Sequence, residues 1–221
     1  QNMTINPHIP DSVEARAIES VEKALEQITK GGIVILVDDE DRENEGDMVM
    51  AAQDATPQNI TVMANEARGL ICTPMIGDDL DRLGLPMQVQ NNTAEHGTAF
   101  TVTVDSKFGI TTGISSADRA HTIQLLADLE SSAANFVQPG HVFPLRYEEG
   151  GVLVRAGHTE GSVDLVRLAG KHPAAVICEI LNDDGTMARR PQLETIAEKH
   201  DFPIVTIADV IAYRMSHEKL V

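Results

Sequence analysis

Apolar positions along this chain recur with two periods. Ile18, Val21, Leu25 and Ile28 fall on one helical stripe, with Asp11 or Ser12 placed to cap its start and Gly31-Gly32 to stop it. The apolar run 33–37 is too short for a core helix and predicts a buried strand, and 48–52 predicts a second. Thr56-Pro57 opens a helix with threonine as cap and proline in the first turn, carrying Ile60, Met63 and Ala67 inward and ending near Gly69. Strands are then predicted at 70–72, 100–104, 151–155, 174–181 and 204–207, and a further one after a Pro139-Gly140 turn. Helices are predicted at 78–83, from Ser115 toward Leu126, over 160–169 with Thr159 as its cap, from Pro191, and finally to about His217. This β-α alternation predicts a domain of mixed α and β class with helices packed around a central sheet. Residues 1–10, with two prolines and no period, predict a flexible arm, and 11–221 a single domain.

Composition narrows the partners. A chain of 221 residues, 42% of them hydrophobic, is long enough to bury a substantial core. Its formal net charge of -17 excludes nucleic acid and anionic membrane surfaces as natural partners, since both need a basic patch. Any phosphorylated ligand must therefore meet local arginines, backbone N–H groups or a metal. With no basic-then-apolar leader pattern at the start and no run of membrane-spanning length, the cytoplasm is the expected compartment. Cys72 and Cys178 both sit in apolar runs, which fits reduced, buried thiols.

The chemistry concentrates in a few stretches. Between the first two strands, Asp38-Asp39-Glu40-Asp41-Arg42-Glu43-Asn44-Glu45-Gly46-Asp47 crowds seven carboxylates around one arginine. Such crowding is either a solvated face or a site relieved by a cation. A calcium loop fails here, because Ala52 stands where that pattern needs a bidentate glutamate, and the oxygens suit Mg²⁺ or Mn²⁺ instead. The polar stretch 90–97 is a candidate functional loop. Gly109-Ile-Thr-Thr-Gly-Ile-Ser115-Ser-Ala-Asp118-Arg119 reads equally as a phosphate loop or as a plain capped turn. His141 and His158 each follow a glycine beside a predicted strand, where ligands commonly bind in α/β proteins. Glu179 lies in an apolar strand and must be paired, metal-bound or protonated if buried. No Gly-x-Ser-x-Gly elbow is present to suggest acyl transfer.

Taken together, the acidic stretch, Pro139-Gly140-His141-Val142-Phe143-Pro144-Leu145, Gly157-His158-Thr159-Glu160-Gly161 and Cys178-Glu179 resemble the 3,4-dihydroxy-2-butanone 4-phosphate synthases of riboflavin biosynthesis. The resemblance runs from about Val21 to the C-terminus. It implies an α+β fold, a single α/β/α sandwich with a mixed sheet, a homodimer with sites near the interface, and conversion of D-ribulose 5-phosphate to L-3,4-dihydroxy-2-butanone 4-phosphate and formate. It further implies Mg²⁺ or Mn²⁺ held by Glu43 and His158, as two ions per site when substrate is bound. Arg42, Glu43, Asp47, Arg155, Ala156, Gly157, His158, Thr159 and Glu179 would meet the substrate. His141 and Glu179 would be essential for turnover, with Asp47 among the acid/base carboxylates. Ala156 is a departure, where the resemblance allows a second basic residue, so phosphate affinity would rest on other groups. The last residues, 212–221, resemble the stretch that leads into a C-terminal GTP cyclohydrolase II in fused relatives.

Overall fold

The computed structural model describes residues 12–218; the expected N-terminal arm lies outside them. Seven strands form one mixed sheet in the order β4-β5-β3-β6-β2-β1-β7. They are β1 (Val34–Val37), β2 (Gly46–Ala51), β3 (Cys72–Met75), β4 (Val104–Ser106), β5 (Phe136–Arg146), β6 (Ala175–Glu179) and β7 (Ile204–Thr206). The pairs β1–β7 and β3–β5 are parallel and the rest antiparallel.

Strand alternation divides the core into two layers. Val34, Leu36, Val49, Ala51, Ala175 and Ile177 point to one face, where α1 (Val13–Thr29), α5 (His158–Leu168) and α7 (Ile207–His217) pack through Val21, Ile28, Leu165 and Val210. Ile35, Val37, Met48, Met50, Val176 and Cys178 point to the other, against Ile60 of α2 (Pro57–Val62), Leu80 of α3 (Gly77–Arg82), Ile123 of α4 (Ser116–Ala127) and Leu193 of α6 (Arg190–His200). The result is the expected α/β/α sandwich. Each fully buried aliphatic side chain contributes roughly 1.5–3 kcal/mol to holding the layers together.

Local sequence accounts for most boundaries. The Ser12 side chain accepts the Ala15 N–H and starts α1, and Thr56 and Thr206 do the same for α2 and α7. The helix from Pro57 widens into a π turn over Met63–Ala67 and stops on Arg68, whose φ of 73° is left-handed, one residue before the expected Gly69. Gly161 matters to the site. A Cβ there would lie 2.8 Å from Leu36, so its absence lets α5 approach β1 closely.

Four expectations are corrected. Pro139-Gly140 makes no turn but lies inside β5, at the register shift opposite Val104 and Asp105, where Gly140 passes so close that a Cβ would meet the Val104 backbone at 2.0 Å. The strand expected at 100–104 begins only at Val104, leaving single bridges at Phe100 and Thr101. Residues 151–155 hold a tight turn, Gly151–Leu153, instead of a strand, because Val152 is buried while Val154 faces solvent. The helix expected from Glu160 begins two residues earlier, with Gly157 as cap and His158 as its first residue.

Candidate metal and substrate site

Asp47 belongs to β2, not to the acidic loop, and strand alternation aims it at the α5 face. Its register partner across β6 is Glu179, which alternation aims the same way. The first turn of α5 sits over that end of the sheet and brings His158 down onto the pair. Sheet end, loop and helix N-terminus thus converge. A polar cavity there is lined by Arg42, Glu43, Glu45, Asp47, Cys72, Thr98, Phe100, Leu145, Arg155, His158, Thr159, Ile177 and Glu179.

The acidic loop is organised by Asp38, whose buried carboxylate accepts the backbone N–H groups of Glu43 and Glu45 and the Arg42 guanidinium. Arg189 ties the loop to the start of α6 by donating to the Glu43 and Asn44 carbonyls. Glu43 is thereby turned toward His158, with 3.5 Å between Oε2 and Nδ1. That hydrogen bond to His158, with the charge of Arg42, pushes Glu43 down to about 2. Burial alone would lower His158, yet the charges of Asp47, Glu43 and Asp38 outweigh it and raise the imidazole to about 9. Burial pushes Asp47 up to about 7, helped by Glu179 and Glu45 and opposed by His158.

The donor set fits a hard divalent cation. Candidate ligand atoms of Asp38, Glu43 and His158 lie within 4.8 Å of one another. Asp38 already has its oxygens committed to the loop, whereas Asp47 Oδ1 is buried with no hydrogen-bond partner, its nearest cationic neighbour being His158 Nε2 at 3.8 Å. An orphaned carboxylate oxygen beside a glutamate and an imidazole is what a cation would satisfy.

Opposite charge gathers on the other side of the same cavity. A Cβ on Gly157 would lie 2.3 Å from Arg155 Nη1 and 3.1 Å from Arg42 Nη2, so this glycine is what allows both guanidiniums to approach the α5 N-terminus. Arg155 is held by Glu160, at 2.6 Å, and by the His96 carbonyl of the polar 90–97 loop. Glu179 is fixed by the Leu70 N–H, which donates to Oε2 at 2.8 Å, and Gly69 passes it so closely that a Cβ would fall 2.5 Å from that oxygen.

Arg42, Glu43, Asp47, Arg155, His158, Thr159 and Glu179 therefore meet in one place, with Gly157 as the gap between the arginines. Two sequence candidates do not line it. Ala156 lines a larger cavity of about 430 Å³ on the far side of the acidic loop, between Ile207 and Ile211 on one side and Asp38, Asp39, Glu40, Arg42 and Arg190 on the other, apart from Glu43, Asp47, His158 and Glu179. His141 lies toward the same end of the sheet, two residues beyond the Cys72–Phe143 register, but half-exposed and paired with Asp105. The phosphate-loop alternative at 109–119 resolves into the α4 cap, with Asp118 accepting from Thr111 and Gly113. Cys72, Thr98 and Phe100 were not anticipated; only the position of Cys72 at a strand end hinted at its place. Burial, with the charges of Glu179 and Asp47, pushes the Cys72 thiol well up.

The profile of the family described as 3,4-dihydroxy-2-butanone 4-phosphate synthase matches residues 22–213. A relative of that name from Pseudomonas aeruginosa is 52% identical over 205 residues, 93% of this chain but 56% of its own length. Another of that name from Agrobacterium fabrum is 55% identical over 196 residues, 89% of this chain and 92% of its own. The chain thus spans about half the length of the first relative and nearly all of the second. Among solved structures, a 3,4-dihydroxy-2-butanone 4-phosphate synthase in complex with two magnesium ions aligns with a TM-score of 0.85 at 38% identity, covering 89% of this chain and 97% of the other.

Proposed function

This chain belongs to the 3,4-dihydroxy-2-butanone 4-phosphate synthase family, and on that footing we propose that it converts D-ribulose 5-phosphate to L-3,4-dihydroxy-2-butanone 4-phosphate and formate for riboflavin biosynthesis. The observation that carries this reading is the single cavity in which Glu43, Asp47, His158 and Glu179 face Arg42 and Arg155. Few reactions need both halves. A ketose phosphate does: its phosphate is met by the two guanidiniums, Thr159 and the α5 N-terminus, while its hydroxyl and carbonyl oxygens reach the carboxylates.

Glu43 and His158 hold Mg²⁺ or Mn²⁺, two ions when substrate is present, a reading supported by the relative solved in complex with two magnesium ions. Bound there, the metal supplies positive charge against the oxygens of a developing enediolate. Asp47 and Glu179, opposite one another and beneath the substrate, accept and return protons as the skeleton loses water, rearranges and releases formate. Thr98 and Phe100, with Leu145 and Ile177, form the wall that keeps bulk water from the reacting carbons.

The enzyme acts as a homodimer with its sites near the interface. His141 supports this, because the essential imidazole is half-exposed and outside the cavity of its own chain, so a second copy can present it. Among the described residues no helix is long and apolar enough to cross a membrane, and both cysteines are free and buried, which supports a cytoplasmic enzyme.

Formate released from ribulose 5-phosphate, abolished by EDTA and restored by Mg²⁺ or Mn²⁺, tests the reaction; full release by metal-free protein removes the metal reading. Mixing inactive Glu43→Gln with inactive His141→Asn tests the shared site. Random exchange should recover about a quarter of wild-type activity, since about half the dimers are mixed and each carries one intact site.

A further inference from the structure

The exposed imidazole of His141 is gripped from behind. Asp105, the middle residue of β4, accepts the His141 backbone N–H through Oδ1 at 2.8 Å, and its Oδ2 lies 2.8 Å from Nδ1 of the same residue. Asp105 is 6% exposed, whereas the imidazole is 42% exposed, so the carboxylate is buried behind a ring whose Nε2 has no protein partner among the described residues. The lid over this contact is Gly113. A Cβ there would lie 2.4 Å from Asp105 Oδ2 and 2.6 Å from His141 Nδ1, and φ is +107°, so glycine alone fits. Gly113 is itself pinned, because Asp118 accepts its N–H at 3.0 Å and both the N–H and hydroxyl of Thr111.

We infer that Asp105 is a positioning residue for His141, fixing the neutral imidazole with its proton on Nδ1 and leaving the Nε2 lone pair free to take a proton from substrate. This rests on the reading of His141 as an acid/base group. The backbone contact makes the carboxylate necessary. An asparagine would keep its single oxygen on the His141 N–H and turn its NH₂ toward Nδ1, which must then accept. The ring would be forced into the opposite tautomer, with Nε2 carrying a hydrogen and no lone pair to offer. Loss of an orienting carboxylate in this way acts on the chemical step, not on substrate binding.

Imidazole ¹H–¹⁵N spectra of the full chain, at a pH where the ring is neutral, test the assignment, with the His141→Asn spectrum identifying the resonance. The expected result is an Nδ1–H tautomer in wild type and an Nε2–H tautomer in Asp105→Asn. With Mg²⁺ and ribulose 5-phosphate, kcat of Asp105→Asn should fall roughly 10²-fold or more, while KM stays within a few fold. Asp105→Glu should restore the Nδ1–H signal and most of kcat. An Nε2–H tautomer in wild type overturns the inference, as does an Asp105→Asn protein whose kcat is near wild type or falls only with its melting temperature. If Asp105→Asn does not fold, the wild-type tautomer and the Asp105→Glu rate decide alone. Normal formate release by His141→Asn instead removes the catalytic reading of His141, and the role of Asp105 with it; inactive His141→Asn beside active Asp105→Asn removes only the latter.

Discussion

Asp47 faces Glu179 across the β2–β6 pair, so two carboxylates share one end of the sheet beneath the first turn of α5. Burial holds Asp47 at about 7, well above its ordinary range. Between about pH 5 and 7 the folded, metal-free chain keeps a proton there that the unfolded chain has lost, so stability falls as pH rises. At about 1.4 kcal/mol for each unit of pH, the fall over that window is at most about 3 kcal/mol. Asp47→Asn should abolish this component. Urea midpoints at three pH values for both proteins check it, and parallel slopes would contradict it.

Metal affinity should be proton-linked. With His158 raised to about 9, a cation entering beside it must displace a proton at neutral pH. Affinity should therefore rise about tenfold per pH unit below 9 and level off above. Calorimetry in buffers of different ionisation enthalpy should report about one proton released per site at pH 8. No proton release at that pH would mean that the metal-free chain holds no proton on His158 there.

Glu43→Gln and His158→Ala should weaken Mg²⁺ or Mn²⁺ binding by at least roughly tenfold, since each removes a donor to the cation. His141→Asn should leave that affinity within a few fold while turnover falls by about 10²–10⁴. Metal titrations beside formate assays separate the two groups. A His141→Asn protein that melts normally and turns over at the wild-type rate would take His141 out of the mechanism.

Gly69→Ala should displace Glu179 without touching the metal ligands. The added methyl would press on the Glu179 carbonyl at 2.4 Å and its carboxylate at 2.5 Å. Overpacking of this kind costs about 1–3 kcal/mol. The expected pattern is a lower denaturation midpoint, a reduced kcat and unchanged cation affinity; unaltered kcat would show that Glu179 tolerates movement.

Much of the fold was legible because burial writes itself into the sequence as a period. The α1 stripe, the strands β1 and β6 and the caps at Ser12 and Thr56 fall where the pattern placed them, whereas Thr206, read as part of a strand, also caps α7. The failures share a cause. Pro139-Gly140 carries turn residues, but pairing with β4 at a register shift keeps it extended, and such a shift is set by the partner strand. Residues 151–155 contain three apolar side chains, too few to separate strand from turn. The acidic loop and both histidines stood out by composition, yet the partition among them did not. Asp38 and Asp47 are two carboxylates of one run; only the fold makes the first a loop acceptor and the second an orphan beneath a helix. Asp105 was invisible, since its value comes entirely from which strand lies beside it.

Cys72 lines the cavity with Asp47 and Glu179, where a thiolate would be open to alkylation and to oxidation. Burial first, and then the charges of Glu179 and Asp47, oppose ionisation of the sulfur, so the thiol stays protonated. The packing that closes this wall of the cavity therefore also shelters the sulfur from alkylating and oxidising agents.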